Sequence, residues 1–339
     1  ISKVTYSPKS FNNKFGVPLS LFNLNKNDDF GIFEIGMDKK NEIDSLSKII
    51  KPDVGVITNV SYAHAKNFEN IKQIALAKSE IIQNINNDGA IVLNADDQFY
   101  SFHKKIAIKR KLRVYSFSMK KKNSDIKFDF IKKEGKKYKI FIKVNKQNTY
   151  FYISSNFENY IKNFLAALTV IKIYKNINKL NKNIFYDYQI PKGRGDISKI
   201  KINKKNIYLI DESYNSNPLS LNSAIKNFDM MNVNNSKKHL ILGDMLELGK
   251  HSKKLHIEIS RTINRSSINY VNVTGKHITE TYKFINKNKK GLILKKKSEI
   301  INLIKNNINN NDYLMIKGSN STGLHKLTNA LRAWKINAL

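Results

Sequence analysis

The 339-residue sequence predicts an α/β protein of two domains built on parallel sheets. The first observation is a pair of apolar runs that break abruptly into polar, turn-forming residues. These are Leu209-Ile-Asp-Glu-Ser-Tyr-Asn-Ser-Asn-Pro-Leu-Ser220 and Ile241-Leu-Gly-Asp-Met-Leu-Glu-Leu-Gly249. Buried parallel strands end this way where they meet a working loop. The second is a regular alternation of strand-like and helix-like segments beyond residue 195. The third is Asp187-Tyr-Gln-Ile-Pro-Lys-Gly-Arg-Gly195, where one Pro and two Gly punctuate the chain and set domains at 1–188 and 189–339.

In the first domain, Phe30–Gly36, Val54–Asn59 and Ala90–Asn94 are short apolar runs with polar ends, read as strands. Ile71 to Asn86 has helical spacing. Residues 112–155 alternate β-branched or aromatic with charged residues, as exposed antiparallel strands do, and Tyr160 to Tyr174 reads as a helix. In the second domain, strands are expected near 206–211, 239–243, 269–274, 291–295 and 312–317. Helices are expected near 219–230, 251–263, 277–286, 298–308 and 321–335.

Composition narrows the function. No apolar run approaches the ~20 residues of a membrane helix, and the amino terminus is not a secretory signal. The sequence has no cysteine, which excludes disulfides and thiolate metal sites. A cytoplasmic protein fits. The net charge of +33 raises the possibility of a basic nucleic-acid-binding protein. The basic residues are nearly all Lys, however, whereas nucleic-acid readers favour the planar fork of Arg. The charge also suits attraction of an anionic small substrate. No nucleic-acid partner and no membrane insertion are expected.

Several residues stand out chemically. Glu34 lies within an apolar run; buried, it needs a cation, a hydrogen-bond network or a metal, and otherwise it marks an exposed strand end. His64 follows the apolar run 54–59, either as a structural loop residue or as a neutral imidazole ligand. Lys78 shares a helix face with Ile71, Ile74, Ala75, Ile81 and Ile82. There it either snorkels or sits in a pocket where burial lowers its pKa and frees an amine able to react with CO2. Asn94-Ala-Asp-Asp97 is a polar turn. Arg194, between two glycines, is placed for close approach to a phosphate. Residues 211–218 fit a capped helix start as well as a site loop. The Lys and backbone N–H groups of Lys317-Gly-Ser319 suit a carboxylate.

Taken together, Asp211 to Pro218 and Gly243 to Gly249 resemble the C-terminal domain of the Mur ligases, most closely the MurF type. Ala77-Lys-Ser-Glu-Ile81, Asn59 to Phe68 and Phe11-Asn-Asn-Lys-Phe-Gly-Val-Pro18 resemble motifs of the central domain. The resemblance implies a central parallel-sheet ATPase-like domain, incomplete at its amino end, followed by a Rossmann-like C-terminal α/β domain. It implies amide ligation with ATP and Mg2+ in peptidoglycan precursor synthesis. A tripeptide carboxylate on UDP-MurNAc becomes an acyl phosphate and is attacked by the amine of D-Ala-D-Ala. By the same resemblance Glu34, His64 and Lys78, as a carbamate, hold magnesium, and Lys78, Arg194 and His64 are the catalytic set. Asn94, Asn163, Arg194, Glu212 and Tyr214 contact the nucleotide. Asn12, Asn13, Asn215, Asn217, Asp244, Glu247, Lys317 and Ser319 contact substrate. A monomer is expected.

Departures from the family pattern are few. Asn159 and Tyr160 replace the first two positions of the adenine motif that Asn163 completes, Glu212 replaces an aspartate, and His325 replaces a glutamate. The phosphate-binding pattern G-x-x-x-x-G-K-[ST] is missing: Gly275-Lys276 and Gly249-Lys250 both fail it. The family alignment puts that loop upstream of Ile1, so this stretch is not expected to ligate alone. Alternatives are a MurE or folylpolyglutamate synthase type of ligase, or a catalytically dead remnant.

Overall fold

Runs of Ile, Val and Leu form the strands of two sheets in this computed structural model, which describes residues 2–121, 123–135, 137–154 and 158–333. The chain divides into two compact units. One comprises residues up to 60 together with 67–188, and the other 61–66 together with residues from 189 onward.

The first unit carries β1 (Val4–Tyr6), β2 (Phe30–Ile32), β3 (Val54–Ile57), β4 (Ala90–Asn94), β5 (Arg113–Ser118), β6 (Ile126–Glu134), β7 (Lys137–Val144) and β8 (Gln147–Ile153). Its helices are α1 (Gly16–Leu21), α2 (Glu42–Ile50), α3 (Ile71–Gln83), α4 (Tyr100–Lys109) and α5 (Glu158–Tyr174). The main sheet has the order β3-β4-β5-β6-β7-β8, and β1 pairs with β2 separately. Strands β3 to β5 are parallel and β6 to β8 form an antiparallel meander. All five residues of β4 are buried, as expected of a strand covered on both faces. On one face Phe164, Leu165 and Leu168 of α5 join a cluster with Phe117, Ile140 and Phe151. On the other, Ile82 and Ala107 join Ile57, Ile91 and Leu93. Complete burial of each such large side chain contributes about 1.5–3 kcal/mol.

The second unit carries β9 (Asp196–Ile202), β10 (Lys205–Glu212), β11 (Lys238–Gly243), β12 (Tyr270–Thr274), β13 (Lys290–Ile293) and β14 (Tyr313–Lys317). Its helices are α6 (Pro218–Met230), α7 (Ser252–Asn264), α8 (Ile278–Lys283), α9 (Lys297–Asn307) and α10 (Leu324–Arg332). The order is β13-β12-β11-β14-β10-β9, parallel except for β9, which runs antiparallel to β10. Because β14 returns between β10 and β11, the loops that follow these three strands emerge side by side. That is the switch-point arrangement at which α/β sheets bind ligands.

Several expectations are refined. β5 pairs in parallel with β4, so only part of 112–154 is antiparallel; residue 155 lies outside the described residues. β9 falls where the boundary was expected to pass directly into the second sheet. It shows the alternation of an edge strand, Ile200 and Ile202 inward and Lys199 and Lys201 outward. The last helix starts at Leu324, after a tight turn over Asn320–Thr322, and residues 334 and 335 of its expected span lie outside the described residues. Among the described residues no helix is long and apolar enough to cross a membrane.

Candidate functional site

In the first unit, Asn70 caps α3 by accepting from the Gln73 N–H at 3.1 Å. The helix buries Ile74, Ala75 and Ile82, and Lys78 shares that side. Burial pulls the Lys78 ammonium below the usual lysine range, with the charge of Asp97 opposing the shift. Asp97 is itself fixed, accepting from Val60 N at 2.7 Å and Phe99 N at 2.8 Å. Asn94, buried at the end of β4, donates to Thr58 O at 3.0 Å and accepts from Asp96 N at 3.0 Å. Asn163 is exposed on α5.

Glu34 is not inside a strand. β2 ends at Ile32 and Glu34 is exposed, the strand-end reading of this position. Its Oε1 accepts from Asn12 Nδ2 at 3.0 Å. Asn13 turns its Oδ1 to Phe15 N and Gly16 N, so this side chain starts α1.

In the second unit the three adjacent loops are tied together by buried side chains. Lys317, 1 % exposed, donates to Glu212 Oε2 at 3.2 Å, Glu212 O at 3.4 Å and Asn215 O at 2.9 Å. Its three protons are therefore used by the fold. The expected carboxylate-holding lysine is a tie between β14 and the loop after β10. Ser319 Oγ accepts from Leu246 N at 2.8 Å and donates to Ser216 O at 3.1 Å, joining all three loops. Asp244 accepts from Ile278 N at 2.7 Å and Lys276 N at 3.1 Å and so caps α8. Asn215 Oδ1 accepts from Ser216 N at 2.7 Å.

Asn217 is the N-cap of α6, accepting from Ser220 N at 2.9 Å while Ser220 Oγ accepts from Asn217 N at 3.0 Å. Both reciprocal bonds of a capping box are present, with Pro218 at the first helical turn. Asn217→Ala is expected to lower the stability of this unit by about 1 kcal/mol, and Asn217→Ser to keep most of it. Denaturant midpoints of the two variants check this.

Arg194 lies with its guanidinium carbon 4.2 Å from the Tyr214 ring centroid, a cation–π stack. Gly193, at φ +78°, lets the turn approach Tyr214, because a Cβ there would lie 3.1 Å from the Tyr214 Cβ. His64 and Glu247 both take positive φ, +54° and +62°, and pair at 2.6 Å from Nδ1 to Oε2. The same segment donates Lys66 N to Glu247 O at 2.8 Å. Two non-glycine residues held in the left-handed region next to one another mark a constrained spot.

A cavity of ≈ 320 Å³ opens at this carboxyl edge, lined by Asp244, Leu246, Thr274, Lys295, Thr322 and Leu324 among others. Behind it stands His256, which the sequence reading passed over. Its Nε2 accepts from Met245 N at 3.1 Å and its Nδ1 donates to Ser252 O at 2.8 Å. The signal was the position of His256 on the apolar stripe Leu255, Ile259 and Ile263 of α7. Among the described residues, no three His, Asp or Glu side chains form a ready-made metal cluster.

The family models that match are the Mur ligase middle domain over residues 1–171 and the Mur ligase glutamate ligase domain over residues 198–320. The chain belongs to the Mur ligase family. Within it, the chain is similar to the UDP-N-acetylmuramoyl-tripeptide–D-alanyl-D-alanine ligase of Buchnera aphidicola subsp. Acyrthosiphon pisum. The two are 34% identical over 95% of this chain and 69% of that one. It is also similar in fold to MurF from Acinetobacter baumannii, with a TM-score of 0.85 and 23% identity over 98% of this chain and 71% of that one. A third likeness is to the MurF ligase of Thermotoga maritima in complex with ADP, with a TM-score of 0.84 and 20% identity over 98% and 74%.

Proposed function

We propose that this chain forms the middle and C-terminal parts of a ligase that joins D-Ala-D-Ala to UDP-MurNAc-tripeptide. The observation that carries this reading is the assembly of three matched segments, 211–218, 243–249 and 317–319, into one edge next to a cavity of small-molecule size. ATP, when bound, supplies the phosphoryl group that activates the tripeptide carboxylate. A bound magnesium would supply positive charge for that transfer.

The residues proposed for magnesium are Glu34, His64 and Lys78. The donor chemistry suits a hard cation. Glu34 offers a carboxylate steadied by Asn12, and the depressed Lys78 amine can become a carbamate. Arg194, oriented by Tyr214, is proposed to stabilise charge on the transferring group. Asn94, Asn163, Glu212 and Tyr214 are proposed on the nucleotide side, with Glu212 also anchoring Lys317. Asn12, Asn13, Asn215, Asn217, Asp244, Glu247, Lys317 and Ser319 shape the substrate side. For Asn13, Asn217, Lys317 and Ser319 this works by fixing loops rather than by direct contact.

The test is a product assay with the full-length enzyme, UDP-MurNAc-tripeptide, ATP and Mg2+. D-Ala-D-Ala is compared with single amino acids and products are weighed by mass spectrometry. Extension by the dipeptide is expected. Extension only by a single amino acid would move the protein to the MurE or folylpolyglutamate synthase type.

A further inference from the structure

Behind the Gly193-Arg194-Gly195 turn, Asp211 of the family-like segment is joined to Asp196 and Arg332, two residues that the proposed chemistry does not use. Asp196 opens β9 and Asp211 stands directly opposite it on β10. Two carboxylates facing each other across an antiparallel pair repel. Arg332, from the last turn of α10, lies between them: one guanidinium nitrogen pairs with Asp196 Oδ2 and the other with Asp211 Oδ2 at 2.8 Å. The side chains of Arg332, Asp196 and Asp211 are 17 %, 21 % and 2 % exposed, so the bridge is partly buried and its Asp211 end is enclosed.

The other carboxylate oxygens face the site. Asp196 Oδ1 accepts from Gly193 N at 2.6 Å. Asp211 Oδ1 accepts from Ser213 N at 2.9 Å and Ser213 Oγ at 2.5 Å. The backbone closes the unit: Gly195 N donates to Asp211 O at 2.7 Å, and Tyr214 N to Gly193 O at 3.0 Å. One helical turn before Arg332, Thr328 Oγ1 lies 3.1 Å from Ser213 Oγ, so α10 grips the same loop twice. The bonds at Gly193 N, Gly195 N and Tyr214 N thus lead, within two steps, to a carboxylate paired with Arg332, while Arg194 N donates to Pro191 O at 3.2 Å and Tyr214 O accepts from Asn320 Nδ2 at 3.3 Å.

We infer that Arg332 is a positioning residue for Arg194: by sitting between Asp196 and Asp211 and offsetting their mutual repulsion, it fixes the glycine turn from which Arg194 reaches the transferring phosphoryl group. This rests on the proposed role of Arg194. Without Arg332 the two carboxylates separate, Gly193 N loses its fixed acceptor, and the Arg194 side chain is no longer held over Tyr214.

The experiment compares Arg332→Met, Arg332→Lys, Arg332→Met with Asp196→Asn, and Arg194→Ala in the full-length enzyme. Phosphate release is followed at saturating and limiting D-Ala-D-Ala. Arg332→Met is expected to lower kcat by about 10–100-fold, as loss of a supporting group around a reactive one does, with KM for the dipeptide within about twofold. Removing the repulsion with Asp196→Asn, or restoring one charge with Arg332→Lys, is expected to recover part of kcat. Amide exchange at Gly193, Gly195 and Tyr214 is expected to quicken in Arg332→Met while β11 and β14 stay protected. If Arg194→Ala is impaired but Arg332→Met keeps kcat within about twofold, the positioning role is refuted and the site reading stands. If Arg194→Ala keeps full activity, the site reading falls and this inference with it. If Arg332→Met does not fold, the double variant decides: it lacks the guanidinium, so kcat within about twofold of the parent enzyme together with unchanged amide exchange at Gly193 and Gly195 refutes the inference, and a lower kcat with faster exchange there supports it.

Discussion

Lys317→Ala is expected to lower the stability of the second unit by about 3–5 kcal/mol, the usual consequence of removing one partner from a buried ion pair. Among the described residues, Lys317 is one of the largest fully buried side chains, and it carries a charge. It sits opposite Glu212 in the β10–β14 register and against Leu242 of β11 on the other side. Burial lowers its pKa, and the carboxylate of Glu212 opposes that shift most strongly. The pair therefore holds its charge because Glu212 and two carbonyls supply what water would. Deleting the side chain leaves the Glu212 carboxylate, 17 % exposed, without its cation, and leaves Asn215 O without its donor. Lys317→Met separates the two contributions: it restores most of the volume, so the loss that remains is polar. Chemical denaturation followed by amide exchange in β10 and β14 measures both. A loss under about 1 kcal/mol for the alanine variant would show that the ammonium is not the tie between these strands.

The parts of the fold that the sequence made legible are those set by local pattern. Strands β10 to β14 of the second sheet, though not β9, the breaks at residues 211 and 243 and the capped start at Asn217 follow from runs of apolar residues ending in turn-formers. Helical spacing alone puts Lys78 on the side of α3 that carries Ile74, Ala75 and Ile82, where the residue is half-buried. What stayed hidden depends on partners distant in sequence. Glu34 read as a strand interior because its neighbours are apolar, yet β2 pairs only with β1 and ends two residues earlier. Lys317 read as a free cation because nothing local shows that Glu212, over a hundred residues away, turns its carboxylate toward it. The His64–Glu247 pair and the Arg332 bridge are hidden for the same reason. Their geometry exists only once separate segments have packed, and no periodicity encodes it.

Mild acid is expected to destabilise the protein through its buried histidines, and His256 is where this reaches the site. His103, His239 and His256 are all buried, 2 %, 2 % and 0 % exposed, and burial is the leading cause lowering the pKa of each. Each imidazole therefore stays neutral in the folded state at pH values where the unfolded chain, titrating near ~6.5, already binds a proton. The unfolded state holds more protons, so stability rises with pH through that window and falls as the pH drops below about 6.5. Each histidine contributes a slope of up to ~1.4 kcal/mol per pH unit until its own folded pKa is reached.

For His256 the reason is visible in its bonds. Its Nδ1 already donates to Ser252 O, so Nε2 must stay unprotonated to accept from Met245 N. A second proton would set two donors against each other and push the Gly243–Gly249 loop off its support. Asp244 and Glu280 favour the charged form and His277 disfavours it, but these are smaller than the burial that opposes charging. His256→Leu is expected to lose about 1–3 kcal/mol near neutral pH, because Met245 N–H is left without an acceptor. It is also expected to flatten the pH dependence below neutrality by one histidine's share. Denaturant midpoints from about pH 5 to about pH 7.5 for both proteins decide the point. Parallel curves would mean that His256 is not among the groups that charge on unfolding, and that the loop bearing Asp244 and Glu247 does not depend on its neutral ring.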